Sequence, residues 1–139
     1  MANRASAASG TRLARKLGVK EGFRIRLVNP PANYFDLLQD APAGLVALPD
    51  NSGKKDFIHL FATEAKALRA ELAALKTEIE PNGAIWVSWP KKAAKIATDL
   101  SDEVVRKAAL EVGLVDVKVC AVDDVWSGLK LVIPLGNRG

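Results

Sequence analysis

Residues 83–92 read GAIWVSWPKK, and this run limits the possible folds more than any other part of the chain. In an extended strand, Ile85, Val87 and Trp89 fall on one face and Ala84, Trp86 and Ser88 on the other. Both faces are mostly apolar, so both must be covered. That is the condition of a central strand between helices, not of a hairpin with one wet face. Pro90 cannot donate to a ladder, so the strand stops there and delivers Lys91 and Lys92 at its carboxyl end.

The flanking segments supply the partners such a strand needs. Residues 23–28 alternate Phe23, Ile25 and Leu27 with Arg24, Arg26 and Val28, giving a first strand that ends at Asn29, Pro30 and Pro31. Short helices are expected at 12–17, closed by Gly18, and at 34–38, with a short strand at 45–48 between turn residues. The run DFIHLF at 56–61 suits a third, buried strand. From 64 to 80, Ala65, Leu68, Leu72, Leu75 and Ile79 form a helical stripe that Thr63 could cap and that Pro81, Asn82 and Gly83 end. A further helix at 101–112, capped by Ser101 or Asp99, leads to strands at 115–122 and 126–133. The link between them is too short for anything but an antiparallel return.

This order predicts an α/β three-layer sandwich, Rossmann-like, around a mostly parallel six-stranded sheet. The predicted order is 2-1-3-4-6-5, with only the last strand antiparallel. Trp86 is expected between the helices that carry Leu68 and Ala108. At 139 residues and 49% apolar composition, the chain can bury roughly two thirds of its unfolded surface in one core. A single domain over 11–135 is expected, with a disordered arm at 1–10 and a flexible tail at 136–139.

Composition also excludes function classes. No apolar run approaches the ~20 residues of a membrane span, and the first residues lack the apolar centre of a secretory signal, so the expected setting is cytoplasmic without a membrane partner. Cys120 is the only cysteine and His59 the only histidine, which argues against a disulfide, a cysteine metal cage or a histidine-rich metal site. Mid-strand, His59 reads as a hydrogen-bonded core residue, and Cys120 as a small apolar one. Residues 1–26 hold seven cations against Glu21 alone, so basicity belongs to the amino-terminal end. A nucleic acid could be contacted only through that arm.

From Asp56 onward, the order strand, helix, strand, helix and closing hairpin, with DFIHLF followed by EPNGAIWVSWP, resembles the second half of the S-adenosylmethionine-dependent methyltransferase fold. The first half departs from that pattern. Where those enzymes carry a glycine-rich cofactor loop, Val28 here leads into Asn29, Pro30, Pro31, Ala32 and Asn33, and only Asp50 resembles the acidic residue that anchors the ribose. No cofactor is therefore expected. LARKLGVKEGFRIRLVNPP, IWVSWPKK and AVDDVWSGLKLVIP also resemble, over residues 11–133, the bacterial family called domain of unknown function 3052, which implies the same fold and no particular reaction.

In an open parallel sheet, ligands bind beyond the carboxyl ends of the strands. That rule selects Asn29 and Asn33 after the first strand, Thr63 after the third, and Trp89, Lys91 and Lys92 after the fourth. The paired lysines are expected to hold a sulfate, phosphate or carboxylate, helped by the amides of residues 32–34. Trp89 and Trp126 could form a stacking wall or a lid on the core. Asp123, Asp124, Ser127 and Lys130 are expected to fix the hairpin. The reading is a non-enzymatic domain that binds a small anionic ligand or a protein partner. The alternatives are an S-adenosylmethionine-dependent methyltransferase-like enzyme with a variant cofactor loop, and a nucleic-acid-binding module using the basic arm.

Overall fold

Six strands join in one sheet in the order β2-β1-β3-β4-β6-β5, as the sequence predicts. The computed structural model describes residues 13–39, 41–50 and 52–137, so the predicted arm, Arg12 and the end of the tail lie outside the described residues. The strands are β1 (Arg24–Val28), β2 (Val46–Ala47), β3 (Lys55–Phe61), β4 (Ile79–Pro90), β5 (Val115–Ala121) and β6 (Trp126–Val132). All neighbours are parallel except β6, which runs antiparallel to both β4 and β5.

The helices are α1 (Leu13–Leu17), α2 (Tyr34–Leu38), α3 (Ala65–Lys76) and α4 (Asp102–Glu111). Strand alternation sends Ile58, Leu60, Ile85, Val87, Leu129 and Leu131 to one face, where they pack on Leu68, Leu72 and Leu75 of α3 and Val105 and Ala108 of α4. The opposite face carries Ile25, Phe57, Phe61 and Trp86 under Leu13 and Leu17 of α1 and Tyr34 and Leu38 of α2. Trp86 is thus fully buried, but beneath α1 and not between α3 and α4. Its indole N–H donates to the Leu17 carbonyl at 2.8 Å. Gly128, on the neighbouring strand, leaves room for that ring: a Cβ there would lie 3.2 Å from it.

The boundary between α3 and β4 differs from expectation. The stripe through Leu75 and Ile79 continues a helical period, yet the helix stops at Lys76 and β4 already begins at Ile79. Ion pairing decides the matter. The Glu78 carboxylate accepts from Lys55 Nζ at 2.8 Å and from Arg26 Nη1 at 2.6 and 2.7 Å, while Lys55 is wholly buried and also donates to the Asp50 carbonyl. A buried ammonium without a partner is costly, so Glu78 must leave the helix to meet it. Burial alone would raise the Glu78 carboxyl, but the hydrogen bonds from Lys55 and Arg26 outweigh it and hold the group low. β4 then bulges between Ile79, paired with Lys55, and Ala84, paired with Phe57. Gly83 makes the bulge possible, because a Cβ there would meet the Asp56 carbonyl at 3.0 Å.

Capping was half legible. Ser101 Oγ accepts from the Val104 amide and caps α4. Asp99, the other candidate for that role, instead accepts from the Ala65 amide at 2.8 Å and caps α3, where Thr63 makes no cap bond. Asp123 fixes the β5–β6 turn by accepting from the amides of Val125 and Trp126, both at 2.8 Å. The two sheet edges are unequal: β2 has two residues, β5 seven. Among the described residues, no helix is long and apolar enough to cross a membrane.

Candidate functional site

The carboxyl edge gathers the loops after β1, β3 and β4 together with the β5–β6 turn. Asn29 leaves β1 in the left-handed region, at φ 56°, a turn glycine usually makes and asparagine tolerates better than most residues. Its side-chain amide reaches the Phe61 carbonyl at 3.4 Å and so ties the first loop to the end of β3. Pro30 and Pro31 bring no N–H, and the Tyr34 amide is already given to the Pro31 carbonyl. The amide cradle expected from residues 32–34 is reduced accordingly. Asn33 precedes α2 with an exposed side chain that makes no cap bond.

A fully buried chain of hydrogen bonds anchors this loop to the sheet. The Tyr34 hydroxyl pairs with His59 Nδ1 at 2.8 Å, and His59 Nε2 with Ser88 Oγ at 2.7 Å. Burial drives the His59 pKa down to about 3, so the ring is neutral, with one nitrogen donating and the other accepting. Burial likewise raises the Tyr34 phenol, which stays protonated. His59 is the core histidine its mid-strand position predicts. Its ring also stacks on Phe61, with centroids 4.4 Å apart, and Phe61 meets half-buried Trp126 edge-on at 5.0 Å. The sequence held a signal for this chain: His59 and Ser88 are polar residues on buried strands, and buried polar groups need partners.

The remaining candidates divide. Thr63 lines a hollow of about 320 Å³ with Glu64, Lys66, Thr98 and Asp99. Its carbonyl accepts from Thr98 Oγ1 and from the Asp99 amide. Trp89 is buried in the core with α3 and α4, which removes it from any ligand surface. The Lys91 amide donates to the Val125 carbonyl at 2.8 Å, tying the lysine to the hairpin turn and not to the Asn29 loop. Lys92 is exposed and opens a single 3-10 turn, Lys92–Ala94, so no α-helix starts beside the pair. Among the described residues, neither lysine has an acid partner.

Asp50 does not reach this edge. Its carboxylate accepts from the Ser52 amide, and the residue lines a hollow with Arg26, Glu71 and Glu78 near the start of β4.

No family model matches the chain, and no curated protein matches it. The finer resemblance over residues 11–133 is thus without a matching model. Solved structures do match. Magnesium protoporphyrin IX methyltransferase from Synechocystis PCC 6803, with bound SAM, aligns at a TM-score of 0.62 and 11% identity, covering 93% of this chain and 77% of that one. A SAM-dependent methyltransferase from Aquifex aeolicus aligns at 0.61 and 15%, covering 88% of each chain. A putative methyltransferase from Thermoplasma acidophilum aligns at 0.57 and 8%, covering 98% and 77%. A ribosomal protein L11 methylase and a precorrin methyltransferase belong to the same set.

This uniform set corrects the expectation of a non-enzymatic binding domain and favours the methyltransferase-like alternative. The cofactor that the fold implies finds a partial fit. The left-handed turn at Asn29 and the exposed Asn33 suit it, whereas the acidic anchor is displaced to Asp50, away from the edge. The chain has the fold of the S-adenosylmethionine-dependent methyltransferases.

Proposed function

We propose that the chain is a methyltransferase-type enzyme that binds S-adenosylmethionine through a variant loop, Asn29 to Asn33. The observation that carries this reading is the left-handed Asn29 at the exit of β1. It supplies the sharp turn of a cofactor loop without glycine, in a fold that aligns with a SAM-dependent methyltransferase over 88% of each chain. The cofactor would supply a methyl group bound to a sulfonium. The protein's own part is binding: Asn29, its side-chain N–H turned to the Phe61 carbonyl, offers its side-chain oxygen, and Asn33 offers both amide donors and an acceptor, in place of the missing glycine amides and acid.

Thr63 borders the same edge. Lys91 and Lys92 offer ammonium groups to a methyl acceptor that carries a carboxylate or phosphate. His59 takes no direct part, since it is fully buried with both ring nitrogens engaged.

Titration calorimetry with S-adenosylmethionine and S-adenosylhomocysteine tests the reading. Binding in the micromolar range is expected. Asn29→Gly should retain the turn and most of the affinity, whereas Asn29→Val, which resists a positive φ, should weaken binding ~10-fold or more. No heat from either ligand at millimolar concentration with folded protein would sink the proposal.

A further inference from the structure

Three residues stand in a row across β4, β6 and β5: Trp86 pairs with Lys130, and Lys130 with Lys118. All three point to the α1 face. The outer two clasp the end of α1, Trp86 Nε1 donating to the Leu17 carbonyl at 2.8 Å and Lys118 Nζ to the Lys16 carbonyl at 2.9 Å. Between them, Lys130 makes no hydrogen bond or ion pair among the described residues. Its ammonium lies under Gly18, where a Cβ would come within 3.7 Å of Nζ. Like charges directly opposite on neighbouring strands are unfavourable, and Lys20 adds a third. Burial first, and then Lys118 and Lys20, push the Lys130 ammonium down from its ordinary value. The hairpin role expected of Lys130 falls to Asp123 instead.

This unpaired cation borders a cavity of about 370 Å³ at the amino edge of the sheet, the end opposite the cofactor loop. The volume lies within the ligand-pocket range of roughly 300–1,000 Å³. Leu17, Phe23, Phe57, Val117 and Val132 give the cavity its apolar walls, with Lys20 and Lys130 as its cations. Its one acid, Asp56, is already taken by the Arg24 amide at 2.8 Å and by Arg24 Nε at 3.9 Å. The other two hollows differ in this respect. Arg26 and Glu78 pair with each other in one, and the other sets a single cation, Lys66, among two acids, Glu64 and Asp99.

We propose that this cavity binds an organic anion with an apolar body, its carboxylate or phosphate held by Lys130 and Lys20 and its body laid against the accessible side chains of Phe23 and Val117. A single anion there relieves the repulsion among Lys20, Lys118 and Lys130 and covers half-buried Phe23 and exposed Val117. The site is separate from the proposed cofactor loop and stands or falls without it.

Laurate, kept below its micellar concentration, is the probe, with inorganic phosphate and dodecanol as head-only and body-only controls. Amide shifts on adding laurate are expected to cluster at Gly18, Phe57, Gly83 and Lys130. Phosphate and dodecanol should each bind ~10-fold more weakly or worse, and Lys130→Met, which retains the stem, should weaken laurate by a similar factor. Asn29→Val should leave laurate binding unchanged. Shifts centred elsewhere, phosphate or dodecanol binding as tightly as laurate, or full affinity in Lys130→Met would each overturn the proposal. If Lys130→Met does not fold, the shift map of the unaltered protein decides alone.

Discussion

His59 shows how one buried side chain ties the loop chemistry to stability. In the folded protein its pKa is about 3 against an ordinary value of 6.5, so an unfolded chain takes up the proton first as the pH falls. Stability from this group is therefore complete above pH 6.5 and is lost as the pH falls from there toward 3. Urea unfolding between pH 6.5 and 5 should show stability falling by up to ~1.4 kcal/mol per pH unit, and His59→Gln should flatten that slope. Equal slopes in the two proteins would mean that His59 is not held neutral. The Asp50 and Glu78 carboxyls, both held below their ordinary values by their hydrogen bonds, lose their contribution at lower pH.

Among elements, α3 depends on a residue outside it. Asp99 lies two positions before the Ser101 cap of α4, yet it accepts from the Ala65 amide at the start of α3. Asp99→Ala should lower the unfolding free energy by ~1 kcal/mol, the usual cost of a lost helix cap. A loss below about 0.3 kcal/mol in urea would show that water replaces the carboxylate there. The existence of each strand and helix was legible because periods of two and of 3.6 residues are local properties. The end of α3 was not. Leu75 and Ile79 keep the helical period across the boundary, and only the distant Lys55 and Arg26 draw Glu78 into the sheet. Asn29, Asn33 and Thr63 follow the carboxyl ends of β1 and β3, as strand order alone implies, but no sequence pattern could say that Lys91 would be tied to Val125 or that Trp89 would turn into the core.

At the scale of the whole molecule, the two faces of the sheet are unequally covered. One carries helices of 12 and 10 residues, the other two helices of 5 each. Strand alternation separates Trp86 from Ile85 without saying which helices lie above either, which is why the pattern alone assigns Trp86 to α3 and α4 while the ring lies under α1. Helices this short are marginal alone and hold only through tertiary contacts. Native-state hydrogen exchange should find amides of α2 and β2 opening well before those of β3, β4 and β6. Amides in α2 as slow as those of β4 would contradict this and would mean that the Tyr34–His59 link locks the loop to the global fold.

The unequal edges of the sheet bear on self-association. A strand left open at an edge is a template on which another chain can grow. At β2 the template has two residues, too few to hold a guest strand. At β5 it has seven, and Val117 and Val119 face the solvent there. Lys118 stands between those valines and its ammonium is fastened to the end of α1. The clasp that pins α1 therefore also sets a charge in the middle of the edge where a stray chain would otherwise add.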